Sequence, residues 1–463
     1  MVDPQRLPRF GTDGVRGVAN VDLTPDVALA LARAASGVLG GIDGERPRVV
    51  IGRDTRRSGL MLEAALVAGY TACGVDVELL GVVPTPVVAV ASAATGAQGV
   101  MISASHNPFA DNGIKLFAPG GSKLDDATEA RVEASLHGFL MGTAPVAAAL
   151  DGDVGVVREG SGLDIWSEAV VASVDGRRFE HRSVVLDCAN GSASVVGPQM
   201  FEALGASVTV IGASPDGMNI NAESGSTHPA GLQRAVVEIG ADLGLAFDGD
   251  ADRLIAVDET GALVDGDHIL GMLANDWKAT GKLHADTVVV TVMSNLGFRL
   301  AMAESGVNVI ETKVGDRYVL EALNNGADGR RYSLGGEQSG HVICRDLAST
   351  GDGVLAGVQL LDALDRSGAG LHELARSTMT TYPQVLKNVR LAQREPDVAE
   401  LLADAVAVAE VELGDHGRVL VRPSGTESLV RIMVEHLDAV TADRVCDRLV
   451  AIAAERVGAD DSA

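Results

Sequence analysis

The sequence predicts an α/β protein: three related α/β domains followed by a smaller α+β domain. Two observations predict this. An apolar β-branched run, a polar or glycine-bearing turn, a helical segment, Gly-x-x-Val and a second apolar run recur in that order three times at wide spacing. From about Tyr382 onward the order changes to strand, helix, strand, strand, helix. A chain of 463 residues also exceeds what one hydrophobic core serves.

The first copy runs from RVVIGRDTR at Arg48 through GLMLEAALVAGYTAC at Gly59 to GVDVELLGV at Gly74. The second runs from SVVLDCANGSAS at Ser183 through VVGPQMFEAL to GASVTVIGA at Gly205. The third runs from DTVVVTVMSN at Asp286 through LGFRLAMAES to GVNVIETKVG at Gly306. Continuous Val/Ile runs mark strands buried on both faces, and strand–helix–strand order implies right-handed parallel crossovers. Spaced copies imply separate similar domains rather than one large sheet. The tail comprises a strand after Tyr382, the helix DVAELLADAVAVAEVEL, the strands GRVLVRPSGT and SLVRIMVE, and the helix TADRVCDRLVAIAAERV. Breaks near Gly142–Gly162, Asp258–Gly261 and Arg366–Gly370 divide the chain into expected domains at 1–152, 153–258, 259–372 and 373–463.

Composition narrows the function. Hydrophobic residues make up 46% and charged residues 22%, as in globular proteins generally. With 55 glycines and only 3% aromatics, the core is built from Ala, Val, Leu and Gly, which suits close α/β layers. The net charge of −26 disfavours nucleic acid and anionic membranes as partners, and an anionic substrate needs a local Arg/Lys cluster. The opening MVDPQRLPRF lacks an apolar signal core and no apolar stretch reaches about 20 residues, so a cytoplasmic protein is expected. Cys73, Cys188, Cys344 and Cys446 show no C-x-x-C spacing and are expected as buried free thiols.

Two strings carry the chemistry. GVMISASHNP, Gly99 to Pro108, ends an apolar strand in Ser105 and His106. A serine before Asn-Pro is also an ordinary turn residue. The adjoining DNGIK, Asp111 to Lys115, reads as a tight hairpin with Asn112-Gly113 at positive φ, returning Lys115 toward the serine as a candidate base. AFDGDADR, Ala246 to Arg253, ends another strand in Asp248, Asp250 and Asp252, which share one face if the segment is extended. Three such oxygen donors suit a hard cation such as Mg²⁺. A calcium loop is excluded by Arg253 at its required glycine and by strand-like flanks. A haloacid-dehalogenase-type phosphatase with Asp248 as nucleophile is weakened by Asp252 two places after Asp250. A phosphorylated serine and three carboxylates against one divalent cation leave excess negative charge, which Arg253, His106 and Lys115 offset.

Three further segments are glycine-punctuated. LGGEQSGH places Glu337, Ser339 and His341 on a loop suited to sugar hydroxyls, or on a plain hairpin turn. VRPSGTES, with Arg431 from the next strand, makes an anion cradle of an arginine fork, hydroxyls and backbone N–H groups. RFGTDGVRG holds Arg16 at a glycine-rich turn, suited to phosphate contact.

Together, FGTDGVRG, ISASHNP, DGDADR, GGEQSGH and RPSGTE occur in one order along nearly the whole chain, and the protein resembles the α-D-phosphohexomutases. The FGTDGVRG opening and the GEQSGH loop are similar to the family's glucosamine branch. The resemblance implies four domains around a central cleft, each contributing one loop. It implies that Ser105 is a phosphoserine and, with Asp248, Asp250 and Asp252, a ligand of one Mg²⁺ per chain. Lys115 is then the general base and His341 the acid, with Ser105, His106 and Arg16 completing the catalytic group. Glu337 and Ser339 hold the sugar, with Arg253 beside them. Arg422, Ser424, Gly425, Thr426 and Arg431 grip the distal phosphate. The implied reaction interconverts glucosamine 6-phosphate and glucosamine 1-phosphate through glucosamine 1,6-bisphosphate, which also acts as activator, on the route to UDP-N-acetylglucosamine and cell-wall precursors. Closure of the last domain would exclude water. Hexosamine phosphates are the expected partners, and the chain is expected as a monomer or homodimer. Phosphomannomutase or phosphoglucomutase activity, and a metal-dependent sugar phosphatase, are the alternatives. Ser428 departs from the pattern, since the family usually has Pro there.

Overall fold

The structure, a computed structural model, describes residues 7–11, 14–40, 46–145, 148–391, 397–423 and 428–457. They form two compact units, 1–293 with 306–378, and 294–305 with 379–463.

The larger unit holds three sheets of seven, five and four strands. All three share one core order. In the first, the strands Asp111–Phe117, Gln98–Ile102, Arg48–Arg53 and Asp76–Val82 lie side by side. In the second the order is Leu254–Asp258, Leu243–Phe247, Ser183–Asp187 and Ser207–Ile211. In the third it is Val342–Cys344, Leu334–Gly336, Thr287–Thr291 and Asn308–Thr312. In each, three strands run parallel and the outermost of the four is antiparallel to its neighbour. The three repeats legible in the sequence are the parallel pairs and their crossover segments. Each chemistry-bearing string fills the same place, the connection from a parallel strand to its antiparallel neighbour. Those connections are 103–110, 248–253 and 337–341. Loops at the carboxyl ends of parallel strands are where α/β proteins bind ligands.

The first sheet adds Gly14–Val18 beside Asp111–Phe117 and Val157–Glu159 beside Asp76–Val82. Its core packs Val49, Ile51, Val100 and Ile102 against Leu31, Leu62, Leu66 and Val132 of the helices Pro25–Leu39, Gly59–Ala72 and Asp126–Leu140. Burying each such side chain contributes about 1.5–3 kcal/mol. Helix starts are fixed by side-chain caps: Thr24 accepts from Val27 N, Asp125 from Thr128 N, and Asp352 from Leu355 N. The second sheet extends to Leu263–Val264.

The smaller unit has a three-stranded antiparallel sheet, with Leu429–His436 between Gln384–Arg390 and Gly417–Pro423. Val430, Ile432 and Val434 pack against Ala409, Val445 and Leu449 of its helices and against Leu402 between two of them. The helix Leu296–Glu304 belongs to this unit, where Asn295 exchanges two 2.9 Å hydrogen bonds with the Tyr382 backbone.

Two sequence expectations are corrected. DNGIK is not a tight hairpin: residues Asp111–Phe117 form a straight strand, and neither Asn112 nor Gly113 has positive φ. Gly113 instead allows close approach, since a Cβ there would lie 2.4 Å from the Ser103 carbonyl oxygen. The turn falls earlier, and the antiparallel register Met101↔Lys115 returns the lysine. The aspartate segment is not extended either. It turns between Phe247 and Leu254 with Ala251 at φ 54°, and this turn makes the carboxylates converge. Cys188, Cys344 and Cys446 are buried free thiols, and Cys73 is partly exposed. Among the described residues no helix is long and apolar enough to cross a membrane.

Candidate active site

Ser105 sits just past the strand Gln98–Ile102, buried, in a left-handed conformation at φ 51°. Its N–H is received by Ser103 Oγ at 2.9 Å. Its own Oγ donates to Asp248 Oδ2 at 2.5 Å and lies 3.2 Å from His106 Nδ1. The serine string and the aspartate string therefore meet through a direct hydrogen bond.

Carboxylate oxygens of Asp248, Asp250 and Asp252 lie within 4.8 Å of one another, all buried. Lys115 Nζ reaches Asp250 Oδ2 at 2.8 Å and Asp252 Oδ2 at 3.0 Å, and is itself buried. Thr85 donates to Asp250 Oδ2 at 2.6 Å. Arg253 donates its backbone N–H to Asp248 Oδ1 at 3.2 Å, and its guanidinium lies 4.0 Å from Asp252. His341 stands between two carboxylates, with Nδ1 3.7 Å from Asp252 and Nε2 3.3 Å from Asp316. Asp316 also pairs with Lys123.

The electrostatics follow from this crowding. Burial, reinforced by Asp252 and Asp250, pushes the Asp248 carboxyl up to about 8. Burial also works against the charge on Asp252, but Lys115 and His341 outweigh it and hold that carboxyl well below the usual range. His106 is driven down to about 4 by burial and by Arg253 and Arg16, so it is neutral at pH 7. Burial opposes the charge on His341 too, yet Asp252 and Asp316 raise its pKa above the ordinary value. For Arg253, burial is overcome by Asp248, Asp252 and Glu337, which keep it charged.

The residues fit a hard divalent cation. Asp250 Oδ1 and Asp252 Oδ1 are buried with no hydrogen-bond donor, and Asp248 retains its charge only with difficulty. A buried cluster of this kind gains from a cation more than any surface acidic patch does.

The structure thus brings together Ser105, His106, Lys115, Asp248, Asp250, Asp252, Arg253 and His341. Arg16 lies on the neighbouring strand Gly14–Val18, exposed, where its charge acts on His106. Glu337 acts on Arg253 and accepts the Gly315 N–H at 3.1 Å, while Ser339 is exposed on the same loop. That loop is strapped down by backbone bonds from Leu254 to Gly340 and from Gly266 to Gln338. In the smaller unit, Arg422 and Arg431 face each other directly across the strand ladder. Ser424, Gly425 and Thr426 lie outside the described residues. Ser428 is exposed and its carbonyl accepts from Leu391 N at 2.9 Å. Sequence reasoning missed Thr85, Asp316, Arg56 and Asn221, the last two of which hold the carbonyls of Ser105 and Asn107.

A strand-end serine bonded to a buried carboxylate cluster, with a lysine inside it, defines a phosphoryl-transfer site. The chain matches all four domains described for phosphoglucomutase/phosphomannomutase: α/β/α domain I over residues 8–138, α/β/α domain II over 165–261, α/β/α domain III over 265–382 and the C-terminal domain over 386–452. It belongs to that family, has its four-domain architecture, and is an isomerase, a phosphotransferase mutase. It is 52% identical to the phosphoglucosamine mutase of Rhodococcus jostii over 445 residues, covering 95% of this chain and 98% of that protein. It is 53% identical to the phosphoglucosamine mutase of Saccharopolyspora erythraea over 449 residues, covering 96% and 98%. A solved phosphoglucomutase/phosphomannomutase family protein from Burkholderia thailandensis superimposes with a TM-score of 0.80 at 25% identity, covering 99% of each chain.

Proposed function

We propose that the protein interconverts glucosamine 6-phosphate and glucosamine 1-phosphate, with Ser105 carrying the phosphoryl group between two transfers. The Ser105 Oγ–Asp248 contact of 2.5 Å, which joins the serine to the carboxylate cluster, carries this reading. Near full-length similarity to phosphoglucosamine mutases supports the choice of sugar.

In the first transfer the Oγ–P bond of phosphorylated Ser105 breaks and a bond forms between phosphorus and the O1 or O6 hydroxyl of the sugar phosphate. Lys115 is the base that takes the proton that hydroxyl loses. The bisphosphorylated sugar turns round, and its other phosphate passes to Ser105 in the reverse sense. Mg²⁺, held by Asp248, Asp250, Asp252 and a phosphoserine oxygen, would neutralise charge on the phosphoryl oxygens. His106, neutral at pH 7, has Nδ1 3.2 Å from Ser105 Oγ, within hydrogen-bond reach of the leaving oxygen. His341, buried and with its pKa raised above the ordinary value by Asp252 and Asp316, is the proton donor on the other face. Arg16 and Arg253 add positive charge to a site rich in carboxylates. Ser339 and Glu337 hold the sugar, and Glu337 offers a carboxylate to the substrate amine.

We assign the substrate's second phosphate to Arg422, Arg431 and the Ser424–Thr426 backbone. Arg422 and Arg431 are directly opposite on the antiparallel ladder, which puts two arginines on one face of the sheet. Glucosamine 1,6-bisphosphate then serves both as intermediate and as the activator that recharges Ser105. Comparing kcat/KM for glucosamine, glucose and mannose 1-phosphates at one Mg²⁺ and activator concentration tests the substrate. Glucosamine is expected first, glucose next and mannose last, since the axial C2 group of mannose would point away from a carboxylate that meets the equatorial amine. A glucose or mannose preference would refute the glucosamine assignment and leave the phosphoserine relay standing.

A further inference from the structure

Two side chains distant in sequence hold the backbone of the serine loop. Arg56, just beyond the strand Arg48–Arg53, donates through one guanidinium nitrogen to the carbonyl oxygens of Ser105 at 3.1 Å and Asn107 at 2.6 Å. Asn221 Nδ2 donates to the same two oxygens at 2.9 and 3.0 Å. A carbonyl oxygen has two lone pairs, so two donors saturate each.

Both holders are themselves fixed. Arg56 is buried and paired with Asp54, which also accepts the Arg56 backbone N–H at 2.9 Å. Asn221 is tied through its own N–H to Ala189 O at 2.8 Å. The aspartate loop presses on the same point. A Cβ at Gly249 would lie 2.6 Å from the Ser105 carbonyl oxygen and 3.0 Å from Asn221 Nδ2, so only glycine permits this approach. Ser105 meanwhile occupies φ 51°, a conformation that a non-glycine residue keeps only when its surroundings impose it.

We propose that Arg56 and Asn221 are positioning residues for phosphoryl transfer: they hold Ser105 in its left-handed conformation and so aim its Oγ at the aspartate cluster in both half-reactions. The inference rests on Ser105 being the phosphoryl carrier. Neither side chain bonds to Oγ or to a carboxylate of the aspartate cluster, so neither is a catalytic residue. Their contribution is register, and a misplacement of about 1 Å at a reacting centre costs about 10²-fold in rate.

The test uses the full-length protein with Mg²⁺ and the variants Asn221→Ala and Arg56→Lys. The lysine keeps a charge opposite Asp54 but loses the planar fork. The expected result is a kcat lower by about 10- to 10²-fold, with KM for glucosamine 1-phosphate within about twofold of wild type. Single-turnover transfer from phosphorylated Ser105 to the sugar should slow by the same factor. A structural role alone would lower the amount of folded protein and leave turnover per phosphorylated site unchanged, and that outcome overturns the inference. Should Arg56→Lys fail to fold, Asn221→Ala decides alone. Wild-type protein with no phosphoryl group on Ser105 would defeat the carrier assignment and this inference together. Phosphorylated wild type with variants at full kcat would defeat this inference only.

Discussion

Replacing Lys115 with glutamine removes the one lysine ammonium inside the carboxylate cluster. Lys115 Nζ lies 2.8 Å from Asp250 and 3.0 Å from Asp252, and the side chain is only 2% exposed. Breaking a buried ion pair by deleting one partner costs about 3–5 kcal/mol, because the other charge stays buried. Here Asp250 keeps its bond from Thr85 and Asp252 keeps His341 nearby, which places the cost near the lower end, about 3 kcal/mol. A divalent cation replaces the missing charge, so the loss of thermal midpoint should be large in chelator and smaller in Mg²⁺. Turnover should not recover, since a cation does not accept the proton from the sugar hydroxyl. Loss of a general base lowers kcat by about 10²–10⁴-fold. The assay pairs midpoints with and without Mg²⁺ against kcat for glucosamine 1-phosphate. Wild-type kcat in Lys115→Gln would refute the assignment of Lys115 as base. A midpoint equally insensitive to lysine and to Mg²⁺ would refute the electrostatic account of the cluster.

The other expectations concern the metal, the phosphate grip and the frame. Asp250→Asn should raise the Mg²⁺ concentration needed for half-maximal activity, because a carboxylate is lost from a hard-cation site. Full activity after exhaustive chelation would exclude the metal. Arg422→Lys should raise KM more than it lowers kcat, by the roughly 1.5–3 kcal/mol of a charged hydrogen bond lost when a fork becomes a point charge. An unchanged KM for hexosamine phosphates would remove Arg422 from the site. Asp352 caps a helix and accepts from Trp166 Nε1 at 2.7 Å, and burial pushes its carboxyl up to about 6. Because its folded-state pKa exceeds the unfolded value of about 3.9, the protonated form is favoured in the fold. Its contribution to stability is therefore fully present below about pH 4 and is lost as pH rises through about 6. Asp352→Asn should flatten the decline of the midpoint across that window, and a profile parallel to wild type would contradict the assignment.

Much of the site was legible because its chemistry sits in contiguous strings. Ser105, the three aspartates and His341 each follow a recognisable strand within a few residues, Lys115 lies within the strand paired beside Ser105's own, and the fold carries these to one place. Thr85, Asp316 and Asn221 were not legible. Each is a single polar residue in an ordinary turn or helix start, and it gains its role only through a tertiary contact with Asp250, His341 or the Ser105 carbonyl. The Asn112-Gly113 pair misled for a physical reason. Glycine serves positive φ and close approach equally, and the sequence does not distinguish them. Here Asn112 Nδ2 donates to Ser58 Oγ at 2.9 Å and Gly113 lies against the Ser103 carbonyl, so both belong to a strand. The three βαβ repeats were readable from their Val/Ile runs. That the antiparallel fourth strand recurs in all three sheets was not, because it is set by pairing across the loops rather than by composition.

The central claim is that Ser105 is the phosphoryl carrier. Intact mass measurement of the protein after incubation with glucosamine 1,6-bisphosphate, with the modified peptide mapped, tests it most directly. One phosphoryl group on Ser105 is predicted, discharged by glucosamine 6-phosphate, absent from Ser105→Ala, and accompanied in that variant by a loss in kcat of at least about 10³-fold. Turnover by protein that never carries phosphate on Ser105, or near-normal kcat in Ser105→Ala, would contradict the account.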